Sequence, residues 1–126
     1  MTVRTLLTLS SFVMFLASLT FLIYPDYITL QIYPEASKTE LQIAIIHRQM
    51  ISGFCFFIGV LIFLARKNVS SAAKRILFGT SLGFLILAFF EIKFFLFDNV
   101  SIYWPITLTF FTLGILSFYV SYLKKH

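Results

Sequence analysis

The sequence predicts an all-α integral membrane protein, an antiparallel four-helix bundle with both termini cytoplasmic. Three observations carry that expectation: a composition too apolar for a soluble domain, four long apolar stretches, and a lopsided placement of basic residues. Of the 126 residues, 60% are apolar and 12% charged, with 17 Phe, and the mean hydropathy is +0.95. Soluble domains average about 45–50% apolar even when Gly is counted, and about 25% charged, so a soluble monomer is excluded. Residues 1–126 accommodate one four-helix transmembrane domain and leave almost nothing for a second.

Each span follows from the thickness of a bilayer. A hydrocarbon core about 30 Å thick takes roughly 20 apolar residues in a helix, because lipid offers a backbone amide no partner. The first span, residues 5–24, carries no charge. The loop after it holds Pro25, Asp26, Pro34, Glu35, Ser37 and Lys38, with Thr39 as a hydroxyl cap for the second span, 41–65, whose polar residues include His47 and Arg48. A turn from Arg66 to Arg75, with Asn68, Ser70 and Ser71, leads to the third span, 76–97, which carries Glu91 and Lys93 near its end. The connection from Asp98 to Ser101 is so short that the third and fourth spans form a hairpin. Pro105 suits the first turn of the fourth span, 101–123, where its missing N–H costs little. A competing reading makes residues 1–17 a cleaved signal peptide, with Arg4 before the apolar run and the small Ala17 and Ser18 at its end. The run continues to Tyr24, longer than the 7–15 residues of such a peptide's core, which favours a span. The sequons at Asn68 and Asn99 fall in the basic turn and hard against the membrane, and are read as chance.

The charges are placed as topology signals. The net charge of +5 would suit nucleic acid, but the basic residues mark segment ends and form no face, so nucleic acid is not expected as a partner. Arg66, Lys67, Lys74 and Arg75 bracket one turn, Lys124 and Lys125 follow the last span, and Arg4 precedes the first; the first loop sets Asp26, Glu35 and Glu40 against Lys38. Lys and Arg are retained on the cytoplasmic side of short loops, so both termini and the middle turn are expected there. Tyr24, Tyr27, Tyr33, Tyr103 and Trp104 then gather at the outer surface, where amphipathic rings sit at headgroup level. The short length and the lack of sorting motifs point to a bacterial inner membrane, with the lipid bilayer as the partner and a membrane protein or a second copy of the chain as a further candidate.

Inside the bundle, small residues should mark helix contacts, since they let backbones approach. Gly53 and Gly59 on the second span, Gly79 and Gly83 on the third and Gly114 on the fourth are the candidates for helix packing, with Thr8, Ser11, Ser18, Ser52, Cys55, Thr107, Ser117 and Ser121 on the same narrow polar sides. Ionisable residues in a span are the stronger signal, at about 2.5–3.5 kcal/mol each on insertion scales. Arg48 stands roughly 27 Å along its helix from Arg66, and Glu91 roughly 24 Å from Arg75, at about 1.5 Å per residue. The two therefore reach one depth and are expected to face each other across the second and third spans, with His47, Gln49 and Ser52 beside them. Lys93, about 200° from Glu91 around the helix, is expected to snorkel outward. Such a constellation reads as a structural ion pair, as a ligand pocket in which Arg48 holds an anionic or carbonyl group, or as a proton relay through His47 and Glu91.

Several chemistries are missing. Cys55 is the one cysteine, so neither an intrachain disulfide nor a thiol redox pair can form. His47 and His126 cannot assemble a zinc site. There is no phosphate loop, nucleophile elbow or catalytic carboxylate pair, nothing indicates an enzyme acting alone, and no cofactor is identified. Small multidrug-type transporters are built from four helices of this length, but carry a carboxylate in the middle of the first helix, which is uncharged here.

The chain resembles the DoxX-like group of small four-helix membrane proteins. The resemblance lies in the first span ending at Tyr24 and Pro25, then Arg48, Gln49, Met50, Ile51, Ser52 and Gly53 as an Arg-x-x-apolar-small-Gly motif, then the basic turn with Ala72, Ala73, Lys74 and Arg75. Glu91 with Lys93 stands where relatives carry a single basic residue. The resemblance implies a subunit of a quinone-linked oxidoreductase or redox-associated membrane complex. The leading expectation from the residues is a non-enzymatic accessory subunit or binder of a small amphiphile at an outer-leaflet polar site; the alternatives are a small oligomeric proton-coupled transporter and a quinone-linked redox subunit.

Overall fold

The structure, a computed structural model, describes residues 2–98 and 101–124. Asn99, Lys125 and His126, which entered the reading above, lie outside the described residues. The elements are α1 (Val3–Ile23), α2 (Pro25–Ile32), α3 (Lys38–Ala65), α4 (Ser70–Phe97) and α5 (Trp104–Phe118), which runs on as a π-helical turn, Tyr119–Leu123. Four helices, Val3–Ile23, Lys38–Ala65, Ser70–Phe97 and Trp104–Leu123, are long and apolar enough to cross a membrane.

The boundaries move for local reasons. Thr2 caps α1 by accepting from the Thr5 amide at 3.1 Å, so the helix starts ahead of residue 5. The cap of α3 is Ser37 and not Thr39: its hydroxyl accepts from the Glu40 amide at 3.2 Å while Glu40 accepts from the Ser37 amide at 3.0 Å, a reciprocal box that satisfies two orphan donors. Ala72, Ala73, Lys74 and Arg75 form the early turns of α4, which shortens the basic turn to 66–69. Pro105 lies in the first turn of α5, as expected, and holds the start of that helix at Trp104.

The larger correction is α2, which occupies part of the segment expected to be loop. Pro25 supplies a preset φ at the first helical position and Asp26 favours the positive end of the helix, so turn-forming residues here start a helix. Its Ile28 and Thr29 are each 1% exposed. The helix ends before Pro34, which disfavours helical backbone at Tyr33.

The packing is inside out relative to a soluble protein. Ser10, Ser11, Ser18, Ser52, Ser81, Thr107 and Ser117 are buried, while Phe57, Phe89 and Phe97 are 61%, 70% and 77% exposed. Lipid solvates rings as well as a core does, so large rings can face outward while small residues join Leu6, Leu7, Leu77 and Phe84 between the helices. Helix α1 runs along α3 and α4 along α5, α2 folds onto α3, and α3 and α4 scarcely meet. In the first seam, Ser18 Oγ donates to the Ser52 carbonyl at 2.9 Å and Ser52 Oγ donates to the Ser18 carbonyl at 2.8 Å. A Cβ on Gly59 would stand 2.8 Å from a ring carbon of Phe15. In the α4/α5 seam a Cβ on Gly114 would stand 2.7 Å from Leu85 Cγ, and Phe84 stacks on Phe110 with centroids 5.4 Å apart.

Gly53, Gly79 and Gly83 do not take the packing role expected of them within this chain. A Cβ on any of the three would meet nothing within 4 Å. The buried positions of α4 are Ala73, Leu77, Ser81, Phe84 and Ala88, a stripe that turns both of its glycines outward. The buried stripe of α3, Ser52, Cys55, Gly59 and Ile62, likewise leaves Gly53 outside.

Candidate functional site

The open seam between α3 and α4 holds a cavity of about 520 Å³ whose lining includes Arg48 and Glu91. The rest is largely apolar, with Phe21 from α1, Phe54 from α3, Phe90 from α4 and Phe110 from α5, and Tyr33 and Tyr103 also among its lining residues. Five helices, α2 included through Ile28 and Ile32, and two connecting segments thus converge on one concavity within the size range of small-molecule sites. Edge-to-face contact of Tyr27 with Tyr103, centroids 6.4 Å apart, ties α2 to the segment before α5 at the same end.

Arg48 is held by the helix that the sequence concealed. Its Nε donates to Thr29 Oγ1 of α2 at 2.8 Å, and Thr29 Oγ1 in turn donates to the Pro25 carbonyl at 2.8 Å, the usual back-bond of a helical threonine. The guanidinium carbon lies 5.9 Å from the Phe21 ring centroid, a long cation–π contact. Glu91 is held from the other side, where Thr107 Oγ1 of α5 donates to its Oε2. Each ionisable group therefore has its own hydroxyl, on its own side of the cavity.

The expected direct ion pair is not formed. Among the described residues the salt bridge of this region joins Lys93 Nζ to Asp98 Oδ2 at 2.9 Å, both partly exposed. Lys93 does not line the cavity, consistent with its angular offset from Glu91. His47 and Gln49 are exposed and do not line the cavity; the His47 ring bonds through Nδ1 to the Ile43 carbonyl of its own helix at 2.9 Å. Ser52 lies in the α1/α3 seam with Ser18, so its role is packing. The helical period explains all three: Arg48 and Ser52 share a face, and His47 and Gln49 are turned about 100° from Arg48 to either side.

The site sets a cation and an anion, near enough to interact electrostatically but not in a direct salt bridge, against an apolar wall. Among the described residues, the terminal guanidinium nitrogens of Arg48 and Oε1 of Glu91 make no protein hydrogen bond, and none of these atoms is among the sealed unpartnered groups, which are the hydroxyls of Ser10 and Ser117. They open onto the cavity, able to donate to one polar group and accept from another. Cys55 lines the same space as a buried free thiol. Among the described residues no group of three His, Cys, Asp or Glu side chains is placed to hold a metal. A wider groove of about 690 Å³ lies between the end of α2 and the start of α3, but it has no cation in its lining.

Thr29 and Tyr33 escaped sequence reasoning as site residues because their segment read as loop. Thr107 was placed on the polar side of its helix, but nothing in its spacing named Glu91 as its partner. No protein-family model, curated protein or solved structure matches the chain.

Proposed function

We propose that this protein is a non-enzymatic, multi-pass membrane protein, an antiparallel bundle that binds one small amphiphile in the α3/α4 seam, with both termini and the basic turn cytoplasmic. The observation that carries this reading is that Arg48 and Glu91 line one largely apolar cavity, each bonded to its own threonine and with no salt bridge between them. Ionisable groups within a span are costly and usually find one another. Here each is steadied by a threonine while part of its hydrogen-bonding capacity stays turned to the cavity, which suits a ligand more than a lock between helices. The complementary headgroup accepts from a guanidinium and donates to a carboxylate, and its tail lies against Phe54, Ile58 and Leu87. A bundle in which α3 and α4 scarcely meet gives such a tail lateral entry from lipid. The antiparallel arrangement is supported by the lining of two cavities. The ends of α1 and α4 and the start of α5 contribute to the Arg48 cavity, and the starts of α1 and α4 contribute to another, with Arg66 and Lys124. The orientation rests on the basic residues of that second end. A relay through His47 has no geometric support, since that ring faces away.

Native mass spectrometry of the protein extracted in mild detergent tests the reading. The expected result is a one-to-one adduct that survives in Lys93→Ala and is lost in Arg48→Ala and Glu91→Gln, with unchanged helical circular dichroism as the folding control. A wild-type protein that carries no adduct and takes up no added fluorescent monoacylglycerol would overturn it. The retained mass also separates an acyl lipid from an isoprenoid quinone, and a C-terminal reporter that reads external would reverse the orientation.

A further inference from the structure

At the other end of the bundle, three distant parts of the chain close around a second polar concavity of about 290 Å³. Arg4 reaches it from the start of α1, Arg66 from the end of α3 and Lys124 from the segment after the last helix, with Asn68 and Ser70 completing the polar lining. Among the described residues no acidic side chain lines it. The five acidic residues of the chain are Asp26, Glu35, Glu40, Glu91 and Asp98, in α2, in the segment and first turn leading into α3, and at the far end of α4. The Arg66 guanidinium lies over the Phe63 ring, 3.8 Å from its centroid, which fixes its plane and leaves its edge N–H groups for a ligand. Helix α4 starts at Ser70 with neither a side-chain cap nor an acidic residue in its first turn, so its leading amides add to the same positive field.

We propose that this concavity is a binding site for a phosphate-bearing anion, its natural source being the headgroup of an anionic phospholipid. Topology signalling needs basic residues only on the loops and gives no reason for cations from three separate elements to share one hollow. The site lies where the apolar helices end, at Ala65 and Leu123, which is the depth of the phosphate layer in a bilayer. Basic hollows between transmembrane helices at the cytoplasmic surface suit lipid phosphates, and each nearby cation adds about fivefold in affinity. This inference is independent of the amphiphile in the α3/α4 seam.

Purified full-length protein in neutral detergent, offered equal amounts of dioleoylphosphatidylglycerol and dioleoylphosphatidylcholine, tests it by native mass spectrometry. Wild type should retain the anionic lipid in preference, Arg4→Gln and Arg66→Gln should each reduce that preference about fivefold, and Lys67→Gln, at a neighbouring basic residue outside the lining, should leave it unchanged. Arg4 is exposed, so its variant reads binding without a packing defect. Displacement of the lipid by millimolar inorganic phosphate would assign the site to soluble phosphate; retention against phosphate would assign it to the headgroup. Equal retention of the two lipids by wild type, or loss of preference in Lys67→Gln as large as in Arg4→Gln, would overturn the site.

Discussion

The α1/α3 seam and the α3/α4 seam share one helix and the same surrounding lipid, yet the first is closed and the second stands open. Where α3 meets α1, its facing residues are Ser52 and Gly59, and the partner answers with Ser18 and with the ring of Phe15 lying over the glycine. Where α3 faces α4, the residues are Arg48, Phe54 and Ile58 against Leu87, Phe90 and Glu91. In lipid, burial of apolar surface gives little drive for association, so closeness depends on small residues and mutual hydrogen bonds. Bulky and ionisable side chains on both walls keep helices apart. The difference teaches that the site is placed by an absence of small residues along α3/α4 as much as by the charges within it.

The largest effect is expected from breaking a closed seam. Gly114→Leu in the α4/α5 contact must displace Leu85, whose Cγ lies 2.7 Å and whose amide nitrogen lies 3.3 Å from the position of a Cβ. Overpacking of this kind costs about 1–3 kcal/mol, and a contact that includes backbone belongs near the upper end. Gly79→Leu, on the same helix as Leu85, adds a Cβ that meets nothing within 4 Å and should change stability by less than about 0.5 kcal/mol. Unfolding in mixed micelles, followed by far-ultraviolet circular dichroism, compares the two; equal losses would mean that the outward face of α4 is also packed, by another copy of the chain or by a partner.

The four spans were legible in the sequence because a bilayer imposes one length and one composition on every helix that crosses it. Arg48 and Glu91 stood out in the sequence for the same reason, since a charge in an apolar run has few explanations, and the structure places both on one cavity. What escaped was rotation. The glycines at 79 and 83 have the spacing of a packing motif, but only the buried stripe through Leu77, Ser81 and Phe84 shows that they face outward. Helix α2 escaped because Pro25 and Asp26 serve a turn and a helix start equally well, and Thr29, the partner of Arg48, was hidden with it.

A double-mutant cycle sharpens the account of the open seam at an intermediate size of effect. If Arg48 and Glu91 are steadied separately, the strong coupling is to be found between Arg48 and Thr29, joined at 2.8 Å. Arg48→Ala combined with Thr29→Val should show a coupling of about 1.5 kcal/mol, the lower end for hydrogen bonds to charged groups. The cycle of Arg48→Ala with Glu91→Ala should give a smaller value. The reverse order would mean that the two charges pair directly, and the cavity would then lack the unquenched groups on which ligand recognition depends.

The smallest effect separates two serines that look alike in sequence. Ser52 and Ser117 are both buried small residues on long apolar helices, but Ser52 exchanges hydrogen bonds with Ser18 while the Ser117 hydroxyl has no partner among the described residues. Interhelical hydrogen bonds in membranes contribute about 0.6 kcal/mol on average and up to about 1.7, because the separated helices also find partners in lipid. Ser52→Ala, which removes the donor to the Ser18 carbonyl and one contact of the Ser18 hydroxyl, should therefore cost about 1 kcal/mol. Ser117→Ala removes a desolvated hydroxyl that forms no bond and preserves almost all of its volume, so it should stabilise the bundle by about 0.5 kcal/mol. Chemical unfolding of the two variants side by side reads the signs. A loss of stability in Ser117→Ala would show that a bound water or a neighbouring backbone group satisfies that hydroxyl, and the α4/α5 half of the bundle would then be cemented by polar contact in the way the α1/α3 half is.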